Sequence, residues 1–364
     1  MYLHEHTDWT RFSWDAAELA PLLCEASFAR GELRGLMEHV GFQLEAEMEV
    51  DALAGEVVAS SLIEGVELDA AKVRSSVSRQ LGLEEPGAVD DTRDVDGVVS
   101  VMMDATRNCD APLMRERLCG WHNALFPTGY SGLRRIAVAR FRERPMSVVS
   151  GPVGREKVHF RAPEAERVGG LMDEFLAWFD VDSPEDPLVK AGIAHLWFLT
   201  IHPFDDGNGR IARALTEMLL ARADRSPRRY YSMARHVLSH REGYYAALER
   251  AQKGTSDATE WLAWFLRALT ASIEESACAV RGALERETFW KSLEGVPLNE
   301  RQRSMLSRLK GGFEGKLTSR KWAKMCKVSP DTALRDINDL VEKGVLEREA
   351  GGGRSTSYAV RPLS

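Results

Sequence analysis

The residues able to do chemistry concentrate in one nine-residue run, His202-Pro203-Phe204-Asp205-Asp206-Gly207-Asn208-Gly209-Arg210. Gly207 and Gly209 lack a Cβ, so the backbone there can turn sharply and bring its N–H groups close to an anion. A helix starting at this point adds its positive N-terminal end and completes a phosphate cradle. Asp206 offers hard oxygen to a divalent cation held against phosphate oxygens, and Arg210 offers a bidentate clamp for a further phosphate. His202 opens the run as a candidate general base, because an ordinary imidazole titrates near neutrality. A polar inter-helix turn explains any one of these residues, but it explains all five together poorly.

The flanking sequence positions the run. Ile193 to Ile201 is apolar, and Ile211 to Leu220 has helical periodicity. The run is therefore a loop joining two helices, with Arg210 at the start of the second.

These residues resemble the signature of the Fic family, His-Pro-Phe-x-(Asp/Glu)-Gly-Asn-(Gly/Lys)-Arg followed after two residues by a second Arg, here Arg213. The resemblance implies a protein adenylyltransferase that moves AMP from ATP onto a Ser, Thr or Tyr hydroxyl of a target protein or of itself, with Mg²⁺. It implies that His202 deprotonates the hydroxyl and that Asp206 holds the metal. Asn208 with the backbone of Gly207, Gly209 and Arg210 would form the anion hole. Arg210 and Arg213 would meet the outer phosphates, and Phe204 would be a buried anchor. Gly209 stands where the family's phosphate-transferring branch carries Lys, which favours the adenylyl-transferring orientation. Tyr244 and Tyr245 are the matching candidates for the nucleobase region, although core packing explains adjacent aromatics equally well.

Far upstream, Ser60-Ser61-Leu62-Ile63-Glu64-Gly65 lies in a segment, roughly Met48 to Arg79, with a helical apolar pattern. Ser60 and Glu64 are four apart and share a helix face. Alone, such a pair reads as a solvated face. The resemblance implies an inhibitory helix of the Ser/Thr-x-x-x-Glu-(Gly/Asn) type, in which Glu64 withdraws Arg213 from the γ-phosphate, so that ATP binds non-productively. In some relatives the equivalent Glu also supports removal of AMP, a second activity by the same resemblance.

Between these motifs, Pro145 to Pro163 holds two short β-prone runs around a turn containing Gly151, Pro152 and Gly154, which reads as a hairpin. It resembles the Fic flap that clamps a target segment by strand-like pairing, with Val158, His159 and Phe160 as its target-binding residues. A simple exposed hairpin is the alternative, and His159 in particular could be merely exposed.

Bulk properties set limits. The 364 residues, 44% hydrophobic, carry a net charge of −7, which argues against nucleic acid as a partner of the whole chain. Five scattered cysteines lack zinc or CxxC spacing, so neither zinc nor structural disulfides are expected. No apolar run approaches the length of a membrane span, and Met1 to His6 has no signal-peptide character; a cytoplasmic protein is expected. Dimers are common in the family, which makes a homodimer an implied assembly.

Charge is uneven. Leu298 to Ser364 holds 14 Lys+Arg against 8 Asp+Glu. Its pattern of helix (Leu298 to Lys310), helix (Thr318 to Cys326), short turn, helix (Pro330 to Lys343) and wing around Gly351-Gly352-Gly353 predicts a winged helix-turn-helix domain. Arg320, Lys321, Lys324 and Lys327 suit phosphates, yet the recognition helix carries Asp331, Asp336, Asp339 and Glu342 against Arg335 and Lys343. Protein recognition or packing is thus weighed against DNA binding through this domain.

At the other end, Trp9, Phe12 and Trp14 predict an aromatic plug before a helix capped by Ser13 or Asp15. The acidic stretch Leu83 to Gly97 predicts a surface connection. The expected fold is mainly α, a Fic-type helical core with a small β-hairpin flap plus a C-terminal winged helix-turn-helix domain. The expected parts are residues 1–97 (N-terminal helical region with the inhibitory helix), 98–290 (catalytic core) and 291–364 (winged helix). The rival reading is a nucleotide-sensing transcriptional regulator or toxin–antitoxin component that binds DNA through its C-terminal domain.

Overall fold

The computed structural model describes residues 1–83, 93–151, 155, 157–349 and 356–361. Most of the acidic stretch at 83–97, the tip of the 145–163 hairpin and the Gly351-Gly352-Gly353 turn lie outside the described residues. The chain divides into two compact units, Met1–Val280 and Arg281–Ser364.

The first unit is helical: α1 (Ala16–Met37), α2 (Phe42–Ile63), α3 (Ala70–Gln80), α4 (Arg93–Arg107), α5 (Arg115–Leu125), α6 (Ala165–Phe179), α7 (Pro187–Ile201), α8 (Asn208–Asp224), α9 (Met233–Ser239), α10 (Arg241–Gln252) and α11 (Thr259–Ser292), the last running on into the second unit. Two antiparallel hairpins interrupt it, β1 (Tyr130–Ser131) with β2 (Arg134–Arg135), and β3 (Ser147–Ser150) with β4 (Lys157–Arg161).

The central pair is α7 packed on α8. Every residue of α7 from Ile193 to Ile201 is buried, as an all-round apolar helix requires. Asp186 caps it by accepting from the Leu188 N–H (2.8 Å), with Pro187 at the first helical position. The aromatic plug packs against this helix: Trp9 is buried and meets Trp197 edge-on at 6.2 Å. Of the two cap candidates before α1, Asp15 makes the cap, accepting from Ala17 and Glu18 N–H.

The apolar pattern from Met48 to Arg79 does not continue through one helix. It breaks after Ile63, where Gly65 takes a left-handed φ of +77°, and resumes at Asp69, which caps α3 through Ala71 and Lys72 N–H. Gly is the natural residue for that backbone, so Glu64 stands at the C-cap of α2 rather than inside a helix.

Helix α2 docks on α9 by a close fit at Gly55. A Cβ there would come within 1.9 Å of the Arg235 guanidinium, which lies across the helix and bonds both Asp51 carboxylate oxygens and the Asp51 carbonyl. At the next position, buried Glu56 accepts from the Ser232 hydroxyl and the Ala234 N–H, each at 2.8 Å. Burial pushes its carboxyl above the ordinary value.

The second unit holds α12 (Glu300–Lys310), α13 (Ser319–Cys326) and α14 (Pro330–Glu342). A three-stranded antiparallel sheet joins them, β5 (Leu317–Thr318), β6 (Leu346–Arg348) and β7 (Ser357–Val360), in the order β5-β7-β6. Met305, Leu306, Trp322, Ile337, Leu340 and Tyr358 form its core. This is a winged helix-turn-helix arrangement. Its recognition helix differs from the expectation in one respect: Asp336 does not face outward, and Asp339, whose side chain is 44% exposed, is paired. Asp336 is buried and bonds Arg301 and Asn299, and Asp339 bonds Gln302 and Lys343. The outward charge of α14 is therefore less negative than its composition suggests by the one buried carboxylate, Asp336.

Candidate active site

The loop between α7 and α8 owes its shape to two left-handed residues. His202 closes α7 at φ +53°, and Gly207 opens α8 at φ +79°. A Cβ on Gly207 would meet the Phe126 ring at 2.8 Å, so the position needs glycine for space as well as for backbone. His202 pays a backbone cost that glycine would not, a common mark of a functional position.

Asn208 staples the loop. Its side-chain oxygen accepts from Phe204 N–H (2.9 Å) and its amide donates to Phe204 C=O (2.8 Å). The side chain expected to help form an anion hole is thus spent on loop closure, leaving the backbone N–H groups at the start of α8 as the donors. Phe204 is fully buried, stacked on His122 at 4.3 Å.

His202 is in hydrogen-bond contact with the Leu199 carbonyl through Nδ1 (3.3 Å). With the proton on Nδ1, the Nε2 lone pair is left to accept one. Burial pushes its imidazole down to about 4, so it is neutral at physiological pH. Asp206 accepts from Gly207 N–H through Oδ1 (2.6 Å) and from the Ser131 hydroxyl through Oδ2. Arg210 is buried with its guanidinium 4.8 Å from the Phe126 ring, and burial works against its charge.

The two distant motif residues come together. Arg213 Nη2 donates to Glu64 Oε1 at 2.8 Å, while its Nε and Nη2 donate to the Ser60 hydroxyl and carbonyl, each at 2.8 Å. Burial opposes the Arg213 charge, but Glu64 and Tyr244 more than offset it and hold the guanidinium's pKa above its ordinary value. Its Nη1 has no hydrogen-bond partner among the described residues, so this buried cation has an unused donor. A Cβ on Gly209 would sit 1.9 Å from Glu64 Oε1. The carboxylate therefore lies directly against the glycine face of the loop.

The two tyrosines differ. Thr216 donates its hydroxyl to Ala212 C=O, so it accepts from His195 Nδ1–H (2.9 Å), and His195 Nε2 accepts from Tyr244 O–H (2.8 Å). Tyr244 is thereby buried and held protonated. Tyr245 donates to the Ile63 carbonyl (3.3 Å), tying the end of α2 to α10.

A cleft of about 990 Å³ opens here, lined among others by Glu64, His202, Gly209, Tyr245, Ser150 and His159. The β3–β4 hairpin forms one wall. Its register skips His159, which is the extra residue of a bulge between Val158 and Phe160; bulges re-aim side chains in this way. The His159 ring bridges Ser150 Oγ (2.6 Å) and Glu249 Oε2 (2.9 Å). Val158 is exposed, whereas Phe160 is buried against Tyr2 and His4 as the hairpin's anchor.

Several residues escaped the sequence reading. Arg142 is buried and donates to the carbonyls of His202, Arg144, Pro163 and Ile201, bracing loop and hairpin together. His122 accepts from Ala139 N–H (3.1 Å), so its other nitrogen carries the proton facing the Asp206 carbonyl (3.2 Å). No periodic pattern marks these positions; the one cue was a run of arginines near Arg142.

Among the described residues no cluster of three or more His, Cys, Asp or Glu could hold a metal. One carboxylate with substrate phosphates and waters is nevertheless a normal magnesium environment, and half-buried Asp206 fits it. No helix among the described residues is long and apolar enough to cross a membrane.

Residues 2–83 match a domain of unknown function (DUF4172), 112–220 the Fic/DOC family, and 301–358 a DeoR-like helix-turn-helix domain. The protein adenylyltransferase Fic of Culex quinquefasciatus is 36% identical over 86 residues, 23% of this chain and 16% of that one. A probable protein adenylyltransferase of Aquifex aeolicus is 30% identical over 95 residues, 26% of this chain and 27% of that one. The chain thus spans under a third of the length of either relative. A solved Fic family protein from Desulfovibrio desulfuricans G20 shares the fold across 96% of this chain and 98% of its own, with a TM-score of 0.54 and 22% identity. A Fic domain containing signaling protein from Bacteroides thetaiotaomicron covers 71% of this chain, and 97% of that chain is covered, with a TM-score of 0.53 and 18% identity. The loop and the match over residues 112–220 together identify a Fic/DOC-family domain in this chain.

Proposed function

We propose that the chain is a protein adenylyltransferase held inactive by Glu64, and that it acts in the cytoplasm. The observation that carries this reading is the 2.8 Å contact between Glu64 and Arg213 over the glycine face of the loop. In the reaction an acceptor Ser, Thr or Tyr hydroxyl attacks the α-phosphorus of ATP. The new O–Pα bond forms as the bond to the β-phosphate bridging oxygen breaks, and pyrophosphate leaves. Neutral His202 accepts the hydroxyl proton at Nε2, a contribution typically worth about 10²–10⁴-fold.

The N–H groups opening α8 stabilise charge on the transferred phosphate, and Arg210 and Arg213 neutralise the outer phosphates. Asp206 would hold Mg²⁺, which supplies charge neutralisation between the phosphates. Ser131 and Gly207 keep that carboxylate in place. The β3–β4 hairpin presents the acceptor segment by main-chain pairing, with His159 fixing its distance from α10. Glu64 blocks the sequence by occupying Arg213 and setting negative charge where the triphosphate belongs. Removal of AMP, with Glu64 orienting a water, is a second activity that the resemblance implies.

The reading is tested with ATP labelled at the α- or γ-phosphate. Protein labelled only from the α-position supports it, and γ-label would replace it with phosphate transfer.

A second reading applies to residues 281–364. With Asp336 buried against Arg301 and Asp339 paired with Gln302 and Lys343, Arg320, Lys324, Lys327 and Arg335 stand exposed around the helix-turn-helix, a charge pattern that suits duplex phosphates. Salt-dependent retardation of duplex DNA by the full chain would support it.

A further inference from the structure

We propose that the described part of the segment 130–161, residues 130–151, 155 and 157–161, beside the candidate cleft, forms a docking surface for an acidic segment of the target protein. The proposal rests on the transferase reading and adds its substrate class, hydroxyls flanked by Asp and Glu. The 32 residues of the whole segment hold eight Lys+Arg against two Asp+Glu. The rest of the first 297 residues holds 26 against 45, so the segment is a basic island on an acidic body.

Apart from Arg142, which is buried and braces the loop, its cations are outward. Arg134, Arg135, Arg144, Lys157 and Arg161 are exposed, and no ion-pair partner among the described residues meets them. Arg140 alone has one, Glu143 at 3.7 Å, with both side chains more than half exposed; such a pair is worth little. A charge cluster kept for fold stability would be paired or buried. Leu133, at the tip of the β1–β2 hairpin, is fully exposed among them and adds an apolar contact.

The island is welded to the site. Ser131 bonds Asp206, Ala137 N–H donates to Asp205 (3.0 Å), Arg142 holds the His202 carbonyl, and Ser147 to Ser150 line the cleft. A segment docked on these cations is delivered beside His202. A long nucleic acid would meet the surrounding acidic surface and be repelled, whereas a short acidic stretch fits the island alone.

The test uses the full chain carrying Glu64→Gly, with and without Arg134→Glu, Arg135→Glu and Arg144→Glu. Its probes are matched acceptor peptides flanked by Asp/Glu or by Lys, and an RNA oligonucleotide. The acidic peptide should be modified with a KM at least about tenfold below the Lys peptide, and charge reversal should cancel that advantage while leaving ATP affinity unchanged. Equal use of both peptides, or a KM indifferent to reversal, would overturn the proposal. So would RNA binding lost on reversal with both peptides used alike, which assigns the surface to nucleic acid. Binding of the acidic peptide, read by anisotropy, without transfer of any label would keep the docking surface and discard the transferase reading.

Discussion

Glu64 Oε1 accepts from Arg213 Nη2 at 2.8 Å, from residues 149 positions apart in the chain. The same oxygen occupies the space that a side chain at Gly209 would fill. One carboxylate thus engages both a buried phosphate-type cation and the glycine face of the loop, and this makes the inhibitory contact separable by mutation.

Gly209→Ala should show that coupling. In the wild type the new Cβ displaces Glu64 and leaves buried Arg213 with Ser60 but without its carboxylate, a loss of about 1–3 kcal/mol in denaturant unfolding. In the Glu64→Gly background the same change should be neutral or stabilising, because Ala is a better helix former than Gly by roughly 1 kcal/mol. Equal effects in both backgrounds would break the coupling.

The pH dependence follows from three histidines, His122 and His195 buried and His202 half-buried. Burial pushes His122 and His202 down to about 4 and His195 to about 3, against an ordinary value near 6.5. The unfolded chain therefore binds more protons than the folded one below pH 6.5, and stability falls as pH is lowered from about 6.5 toward 4. The melting temperature should decline over that window, and His195→Gln should flatten the decline. The transfer rate of the Glu64→Gly variant should not lose a group titrating near 6.5, since His202 is already neutral there; an acidic limb centred at 6.5 would contradict its lowered value.

Asn208→Ala tests the staple. It removes two hydrogen bonds to the Phe204 backbone and strands buried polar groups, at a cost of about 1–3 kcal/mol. Transfer should fall together with stability. A loss of transfer at unchanged stability would mean that the amide serves the phosphate instead.

In the winged helix, Asp336→Ala should act on stability more than on surface charge. Its carboxyl, though burial works against ionisation, is held below the ordinary range by Arg301 and Asn299. Its loss should lower the thermal transition of the full chain and leave any duplex retardation intact. Tighter retardation at unchanged stability would show that Asp336 faces the DNA after all.

The candidate loop was legible because its residues are contiguous: Gly207 and Gly209 announce a turn, and His202, Asp206 and Arg210 lie within nine positions. Helix α14 and the wing were legible from periodicity and turn glycines in the same way. The bracing of the loop was not. Ser131 reaches Asp206 across 75 positions and Arg142 reaches the His202 carbonyl across 60, and neither pairing leaves a local pattern. The inward turn of Asp336 was hidden for a related reason, since it depends on where α12 brings Arg301. Composition counts charges, but only packing decides which of them face solvent.

Inhibition by Glu64 is read out by incubating wild-type and Glu64→Gly protein with α-labelled ATP and Mg²⁺ and measuring label on the protein. Freed Arg213 should raise self-labelling by at least about tenfold, equivalent to a barrier change of roughly 1.4 kcal/mol, and His202→Ala on top should abolish it. Equal labelling of wild type and Glu64→Gly would contradict that inhibition, and label that survives His202→Ala would contradict His202 as the base.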